Sequence, residues 1–450
     1  MNNVDFKKIR NQFKSMVQSF DEPKISNQKI FSVCFDLENN FKDFLDRFSS
    51  EYCPIFFSND KFSAFSLLKE HSFSFYEEDD FKIQKKEMIN LISNALFINS
   101  KKDYKTFIFG GFNFDLNESN NDIWEGVPIG GFTLPRYTFI DSKLIINIFL
   151  KNKATKIKIE EIIYKYINDL EGILFKTDQS TVRSKLLKIS NLTSKDSYFS
   201  KIKSLLKNLK EDNSELIKVV FSRIKKASFS DKVPLIDIYK NLMSNHGGNM
   251  NFLYTIKDNI SIIGSTPELI LSKLNSQIKS ESIAGSNYIK KTDEFILDKK
   301  EIVEQKIVTD YIINFLNENA VDIKYNNKPQ IRKSSNIEHL CTSFSATLDT
   351  NKNIFDLLND LHPTPAIGGF PKQKAINLIR DKKENRGWYG GPIGWIDNNL
   401  DGHFFLNIRS GLGINSDLYL FSGSGITDKS KSDNEWSETE QKFNLMIESL

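Results

Sequence analysis

Two pairs of carboxylates are the residues of this chain whose types and spacing most clearly suggest chemistry. Glu301 and Glu304 lie three residues apart in the stretch DKKEIVEQKIVTD, positions 298–310, and a helix places such a pair on one face. Glu435 and Glu438 repeat the spacing near the end of the chain, and Lys442 follows four residues later. If the two predicted helices face each other, four carboxylates surround one point.

Two interpretations of these carboxylates are open from the sequence. Four acids without cysteine or clustered histidine suit a hard, oxygen-liking ion such as Mg2+, completed by water and substrate oxygens. Alternatively, each pair is a solvated helix face, which is the commoner use of such spacing. In the first helix the apolar neighbours are expected to press against a core while the acids point into a cavity or water; these neighbours are Ile302, Val303, Ile307 and Val308.

Composition sets the broad class of protein. The 450 residues contain 39% hydrophobic and 26% charged residues, and no Pro/Gly/Ser-rich linker divides them, so one large domain spanning 1–450 is expected. A net charge of +3 gives no support to nucleic-acid binding. Cys34, Cys53 and Cys341 are far apart, which favours a reducing compartment. No long apolar run or leader-like start is present, so we expect a cytoplasmic protein without a membrane segment.

The elements that must position these groups fall into two parts. Residues 1–200 are predicted to form a β-rich framework with surface helices near 1–20, 81–97 and 157–173. Gly110 and Gly111 lie inside a strand pattern, which marks a bulge or a close backbone approach. Residues 201–450 contain most of the candidate site residues.

In this second part, the predicted strands end in polar or small residues. Lys218 opens the strand KVVFSR and Glu268 follows the turn GSTP, although lone charges at strand ends are normally surface residues. Small-residue corners are expected at 284–286 and 423–425, where backbone N–H groups can approach an anion. Tyr389 and Arg409 are expected on strands. Arg409 could bind a carboxylate or form a structural salt bridge, and Tyr389 could be a core aromatic.

Familiar catalytic signatures are absent from the sequence. It contains no GxxxxGK[ST] loop, no HExxH and no GxSxG. The five histidines show no ligand spacing, so each is more simply explained as a structural histidine; they are His71, His246, His339, His362 and His403.

Ten ordered blocks resemble the chorismate-utilising enzymes, which include isochorismate, salicylate, anthranilate and aminodeoxychorismate synthases. These blocks are KVVFSR, GSTPE, SIAGS, KEIVEQ, HLCTSFSATL, LHPTPAIGG, GWYGGPIGW, FLNIRSG, GSGI and EWSETEQK. They cover about 215 to the end of the chain, and FGGFNFD with the pattern from Trp124 to Pro135 is similar to the isochorismate synthase N-terminal half. The resemblance implies an α+β fold with two large, mainly antiparallel sheets packed together, helices outside and the site in a cleft. It also makes 201–450 the chorismate-binding region.

The resemblance further implies that water is the nucleophile. Lys218 is present and Ala284 is small, whereas the aminodeoxychorismate enzymes carry a lysine at the position matching Ala284. Lys218 would be the general base for water attack at C2 of chorismate, and Glu268 would protonate the departing C4 hydroxyl. These roles require the lysine pKa to fall from ~10.4 and the glutamate pKa to rise from ~4.3. A direct salt bridge between them would do the reverse, so we expect them on opposite sides of the substrate ring.

The remaining roles carry over by the matching motifs. Mg2+ would be held directly by Glu304 and Glu438, and through water by Glu301 and Glu435. Lys442 and the backbone of Gly285 and Ser286 would neutralise the ring carboxylate of chorismate. The enolpyruvyl carboxylate would be held by Arg409, Tyr389 and the corner from Gly423 to Gly425. His339 matches a site-adjacent histidine of the family.

These inferences predict an isochorismate synthase, an isomerase. The loop LHPTPAIGG, 361–369, resembles the isochorismate synthase version and departs from the salicylate synthase one. Salicylate synthase is one alternative, and an ammonia-using anthranilate or aminodeoxychorismate synthase component is another. We expect no glutaminase partner, and a monomer or homodimer. The similarity of the N-terminal half favours menaquinone biosynthesis over siderophore biosynthesis. A non-catalytic binding protein, with the acidic helices as plain surface, is the simplest alternative.

Overall fold

A computed structural model describes residues 4–18, 29–37, 45, 48, 50–98, 104–152, 155–175, 184–211, 214–288, 299–334 and 337–450. The α-helices within these ranges are α1 (Phe6–Gln18), α2 (Glu78–Ser93), α3 (Lys156–Phe175), α4 (Lys195–Leu209), α5 (Leu235–Asn245), α6 (Lys299–Asn319), α7 (Ile354–Leu361), α8 (Lys372–Asp381) and α9 (Ser432–Ile447). None of these described helices is long and apolar enough to cross a membrane.

The described strands fall between these helices, singly or in consecutive runs. In the first half they are β1 (Ile30–Asp36), β2 (Ile55–Ser58), β3 (Ser63–Phe75), β4 (Leu96–Phe97), β5 (Phe107–Phe112), β6 (Gly130–Ile140), β7 (Lys143–Phe149) and β8 (Leu186–Asn191). In the second half they are β9 (Lys218–Phe229), β10 (Met250–Lys257), β11 (Ile260–Thr266), β12 (Leu269–Leu274), β13 (Gln277–Tyr288), β14 (Ala320–Tyr325), β15 (Gln330–Ser334), β16 (Ile337–Leu348), β17 (Gly369–Phe370), β18 (Pro392–Asp397), β19 (Gly402–Leu406), β20 (Ser410–Ile414) and β21 (Asp417–Ile426).

Most of the strands form two antiparallel arms that meet at β6. One arm runs β8–β9–β21–β20–β11–β10–β2–β3–β6. The other leaves β6 through β5–β18–β19–β12–β13–β16, and β16 then pairs with β14 and β15. A further branch leaves β6 through β7 and β1 to β4, which pairs with β1 in parallel, and β17 pairs with β9. Gly110 in β5 makes the junction with β6 possible, because a methyl group there would lie 2.1 Å from the carbonyl oxygen of Gly131.

The two arms pack face to face. The ring of Phe57, in β2 of the first arm, lies 5.7 Å from that of Phe109 and 5.3 Å from that of Trp395, both in the second arm. The preceding residue, Phe56, points to the opposite face and packs 5.3 Å from Tyr239 of helix α5. Because side chains alternate across a strand, one face of the first arm contacts the second arm and the other face contacts helices.

The structure confirms the predicted α+β class and the mainly antiparallel strands. The prediction for the apolar residues of α6 is wrong for Ile302 and Val303, which are 44% and 48% exposed, and correct for Val308, which is buried. The acidic face of the helix turns inward, which was one of the predicted alternatives, and Glu304 is only 7% exposed. The predicted helix start, Asp298, lies outside the described residues.

Four site residues occupy different local structures from those predicted. Tyr389 and Arg409 lie in turns, before β18 and between β19 and β20, rather than on strands. Gly423 is not at a corner but inside β21, where it pairs with Ser222 of β9, and Gly425 pairs with Val220. Neither glycine has a positive φ. Glycine is needed at these positions because other groups approach the backbone of the extended strand closely.

Candidate active site

A cavity opens where the far ends of the two arms come together under helices α6 and α9. Strands β9 and β21 form one wall, β13 and β16 form another, and three turns carrying Glu268, Tyr389 and Arg409 close it. Its apolar surface is made by Val220, Ile283, Ala366, Ile367, Ile408 and Phe421. Every lining residue lies between positions 218 and 442, so the first half of the chain serves as framework.

Most of the predicted site residues line this one cavity. They are Lys218, Glu268, Gly285, Glu301, Glu304, His339, Tyr389, Arg409, Gly423, Gly425, Glu438 and Lys442. Glu435 is 1% exposed on α9, one turn before Glu438, but it is not part of the cavity wall. The side chain of Ser286 lies outside the described residues.

Lys218 is almost completely enclosed at the base of the cavity. Its Nζ lies 3.1 Å from Oε2 of Glu304, and the lysine side chain is 2% exposed. A methyl group at Gly425 would lie 2.5 Å from Cε of Lys218 and 3.0 Å from Oε2 of Glu304. Glycine is therefore required at 425 because the ion pair lies directly against the β21 backbone.

Glu268 is buried in the turn between β11 and β12. It is 5% exposed, and burial together with the nearby charge of Glu281 raises its pKa to about 8, although Lys218, Arg409 and Arg332 act in the opposite sense. At neutral pH the carboxyl therefore carries a proton. This is the direction of shift that a proton donor requires.

The predicted opposite placement of Lys218 and Glu268 is consistent with the described contacts. The ion pair of Lys218 is made with Glu304, on α6, and not with Glu268. Their charges still sense each other through the cavity, because Lys218 is among the groups that oppose the rise in the Glu268 pKa.

Helix α9 contributes a second ion pair to the wall. Lys442 Nζ lies 2.5 Å from Oε1 of Glu438 and donates a hydrogen bond to the carbonyl oxygen of Gly423 at 3.0 Å. Across the cavity, Gly285 adopts a φ of +72°, where the register of β13 against β16 shifts. A methyl group at Gly285 would lie 3.2 Å from Oε2 of Glu301. The strand does not end in a corner at 284–286 as predicted: β13 continues to Tyr288, and Gly285 forms a bulge within it.

The carboxylates fit Mg2+ by donor type. Glu301, Glu304 and Glu438 present only hard oxygen atoms to one cavity, and Glu304 and Glu438 each already bind a cationic ammonium group. The carboxylates do not form a ready-made metal site. In the part of the chain that the structure describes, no three His, Cys, Asp or Glu residues lie close enough together to hold an ion.

Arg409 presents an unused donor to the cavity. It is 7% exposed with a φ of +50°, and its Nη1 has no hydrogen-bond partner among the described residues. A buried guanidinium donor without a partner is costly, so an anion arriving in the cavity would satisfy it. Tyr389 stacks on Phe421, with ring centroids 5.2 Å apart, and burial raises its pKa to about 12, so its hydroxyl remains a donor.

His339 lies deep in the wall, on β16. Burial and the positive charges of Arg409 and Lys442 lower its pKa to about 3, against a hydrogen bond to the backbone of Gly285. The imidazole is therefore neutral at physiological pH. It can donate or accept a hydrogen bond but does not add charge to the site.

A buried ion pair that the sequence analysis missed supports two walls of the cavity. Arg386 donates to the carbonyl oxygen of Ile367 at 2.8 Å and to that of Val220, and its Nη2 lies 3.1 Å from Oε2 of Glu384. The same carboxylate oxygen accepts from the backbone N–H of Ser222 at 3.0 Å. The only signal in the sequence was that these charges immediately precede Tyr389 in ENRGWYGG.

Comparison with known proteins identifies the family. A family model described as chorismate binding enzyme matches residues 15–450. Isochorismate synthase MenF of Bacillus subtilis (strain 168) is 28% identical over 357 residues, which cover 76% of this chain and 74% of that protein.

Two solved structures share the fold. The menaquinone-specific isochorismate synthase MenF from Escherichia coli has a TM-score of 0.77 at 19% identity, covering 98% of each chain. Anthranilate synthase component I from Streptococcus pneumoniae TIGR4 has a TM-score of 0.71 at 19% identity, covering 86% of this chain and 92% of that one. The match to the family model extends over nearly the whole chain and includes the cavity, and the chain therefore belongs to the chorismate-binding enzyme family.

Proposed function

We propose that this protein is an isochorismate synthase, which isomerises chorismate to isochorismate with Mg2+. The observation that carries the proposal is the pairing of a protonated, buried Glu268 with Lys218 in one cavity. Water attack at C2 needs a base, and departure of the C4 hydroxyl needs an acid. Lys218 would accept the proton from water and Glu268 would donate its proton to the leaving oxygen, which departs as water.

Two anions on the substrate would fix the ring between this base and this acid. Arg409, with its unpartnered Nη1, and the Tyr389 hydroxyl would bind the enolpyruvyl carboxylate beside the Gly423–Gly425 segment. Lys442 and the backbone of Gly285 and Ser286 would face the ring carboxylate. Such positioning supplies a large part of the rate enhancement of enzymes that act on bound, rigid substrates.

Glu304 and Glu438 would hold Mg2+ directly, and Glu301 and Glu435 would do so through water. When bound, the ion would supply positive charge for the ring carboxylate of chorismate. Support comes from the oxygen-only donor set and from the cations that Glu304 and Glu438 already bind. Glu435 would have to act from behind the wall, since it is not part of the lining.

The ion pair between Lys218 and Glu304 links the proposed base to a proposed metal ligand. The Glu304 carboxylate lies 3.1 Å from the Lys218 ammonium. Because Glu304 would also hold Mg2+, the ion and the lysine would compete for this carboxylate.

Water, rather than ammonia, is the proposed nucleophile. Ala284 lines the cavity and leaves space beside Gly285, whereas a lysine at that position is expected in aminodeoxychorismate enzymes. The fold alone does not decide this point, because the anthranilate synthase component has a similar fold. We accordingly expect activity without a glutaminase partner, as a monomer or homodimer.

The test is to incubate the purified protein with chorismate and Mg2+, with and without ammonium, and to separate the products by chromatography. We expect isochorismate in equilibrium with chorismate, unaffected by ammonium and absent in Lys218→Ala. Accumulating salicylate and pyruvate would instead indicate a salicylate synthase. An amino product that requires ammonium would contradict the role given to Lys218, and no turnover at all would favour a binding protein.

We further propose that the product serves menaquinone biosynthesis. Support comes from the pattern between Trp124 and Pro135 in the first half of the chain, where Trp124 is buried and stacks on Phe421 of the cavity wall at 5.3 Å. Disrupting the gene should abolish menaquinone and leave catechol siderophores unchanged. The reverse pattern would assign the protein to siderophore biosynthesis.

A further inference from the structure

A second charged pair lies behind the turn that carries Glu268. Arg332, on β15, binds both carboxylate oxygens of Glu281, on β13, at 2.7 and 2.6 Å. The hydroxyl of Ser343 donates to the same carboxylate at 3.3 Å. Bidentate pairing of this kind fixes the guanidinium plane as well as its position. Neither Arg332 nor Glu281 lines the candidate active site.

Arg332 also holds the backbone next to Glu268. Its Nη1 donates to the carbonyl oxygen of Pro267, the preceding residue, at 3.2 Å. The backbone of Glu268 is held on both sides as well: its N–H donates to Oγ1 of Thr266 at 3.3 Å, and its carbonyl oxygen accepts from the N–H of Leu406 at 3.1 Å. Of these three hydrogen bonds, only the one from Arg332 is made by a charged side chain.

The same pair supplies opposite charges beside the Glu268 carboxyl. The charge of Glu281 favours the protonated form of Glu268, and the charges of Arg332, Lys218 and Arg409 favour the ionised form. These groups come from β13, β15, β9 and the turn between β19 and β20. Cys341 of β16 faces the same cluster, but burial raises its pKa to about 11, so the thiol is neutral at physiological pH.

We propose that Arg332 and Glu281 are positioning residues for Glu268: Arg332 fixes the turn through Pro267, and the pair balances the charge that decides whether Glu268 keeps its proton. This rests on the proposed function only in naming Glu268 as the acid. The pair would act through the turn and the local field rather than by touching the substrate. Loss of Glu281 and loss of Arg332 should therefore shift the titration midpoint of Glu268 in opposite directions.

The experiment is an infrared pH titration of the Glu268 carboxyl, isolated by subtracting the spectrum of Glu268→Gln. In Glu281→Gln the acid loses a negative neighbour and Arg332 loses its partner, so the midpoint should fall by about one pH unit. In Arg332→Gln the carboxylate of Glu281 is left unbalanced, so the midpoint should rise by a similar amount. The double variant should titrate close to the unmodified protein. Midpoints that move together, or not at all, would overturn the proposal.

Two further variants separate positioning from general damage to the fold. Arg332→Lys keeps the charge without the fork, so we expect a nearly unchanged midpoint with kcat reduced about 10-fold and KM little altered. Arg380→Gln is the control, because it removes a comparable ion pair that lies outside the cavity. In that pair Arg380 donates to both carboxylate oxygens of Asp115, at 2.6 and 2.8 Å. This variant should change neither the Glu268 midpoint nor kcat. If Arg332→Gln does not fold, a Glu281→Gln midpoint that fails to fall still refutes the idea. The midpoints need no turnover, so they remain decisive even if chorismate is not the substrate.

Discussion

The surroundings of the two proposed proton-transferring residues differ between the two ends of the cavity. Glu268 is buried in a turn held by backbone and side-chain hydrogen bonds, and its proton is retained by the surroundings as they stand. Lys218 is equally buried but lies 3.1 Å from the carboxylate of Glu304, which is also a proposed Mg2+ ligand. The acid is thus held by the fold alone, whereas the contacts of the base depend on what else Glu304 binds.

Metal dependence is therefore expected at the Lys218 end of the cavity, where Glu304 lies. Conditions that change the occupancy of Glu304 should act first on Lys218, through the ion pair, and on Glu268 only through its longer-range interaction with Lys218. Changes to the turn around Glu268 should do the opposite.

Removing either proton-transferring group should nearly abolish isomerisation. Lys218→Ala and Glu268→Gln should each reduce kcat by about 10³-fold, since general acid–base catalysis contributes on the order of 10² to 10⁴. Steady-state rates with chorismate and Mg2+ measure the effect. Both variants should still bind chorismate, because the proposed anion contacts remain; normal rates in either variant would remove that residue from the mechanism.

Crowding the base should cost less than deleting it. A methyl group at Gly425 would meet Lys218 Cε at 2.5 Å and Glu304 Oε2 at 3.0 Å, so Gly425→Ala should displace the pair and lower kcat by about 10²-fold. Gly172→Ala is the matched control, because a methyl group there meets nothing within 4 Å. Equal activity of the two variants would mean that the Lys218 geometry is not critical.

Glu268 should impose a pH dependence on folding stability. Its pKa rises from the ordinary 4.5 to about 8 in the folded protein, so between these values the folded state binds a proton that the unfolded state has released. Stability from this group is therefore present at low pH and is lost as pH rises through about 8.

Replacing Glu268 by Gln removes this dependence. Relative to the unmodified protein, Glu268→Gln should gain stability on the order of 3 kcal/mol between pH 5 and pH 8. Urea unfolding at several pH values measures the difference. Parallel curves for the two proteins would show that Glu268 is ionised in the fold, contrary to the account.

The smallest expected effect concerns metal affinity at the base end. Lys218→Met removes the ammonium that competes for Glu304, so Mg2+ should bind the variant about 10-fold more tightly, as measured by calorimetry without substrate. Glu268→Gln, at the other end, should bind Mg2+ within about 2-fold of the unmodified protein. Weaker binding in Lys218→Met would show that the lysine does not compete for the metal ligand.

The local features of this arrangement, such as strands and glycine positions, could be predicted from the sequence. The strands around Lys218 and Glu268 follow from runs of β-branched and aromatic residues, and the local irregularity at Gly285 from residue type. Carboxylates of α6 that face a cavity were among the predicted alternatives, but the exposure of Val303 was not. Hydrophobic periodicity places apolar residues against the core, whereas this helix turns Glu304 toward a polar cavity.

Contacts between distant segments were also invisible in the sequence. The ion pair of Lys218 with Glu304 joins β9 to α6, and Arg386 joins β9 to the 361–369 loop. Nothing in the spacing of these residues predicts their contact, since it depends on how the two arms close. The family resemblance supplied candidate roles, but the difference between the two ends of the cavity emerged only from the packing.

The central claim is that Lys218 activates water to attack C2 while Glu268 expels the C4 hydroxyl. The most direct measurement is the reaction of chorismate in water enriched in 18O, followed by mass spectrometry of the isochorismate formed in the first turnovers. The account predicts one solvent oxygen in each product molecule, located at C2. Isochorismate that retains only the original oxygen of chorismate would contradict it, because the hydroxyl would then have moved within the substrate.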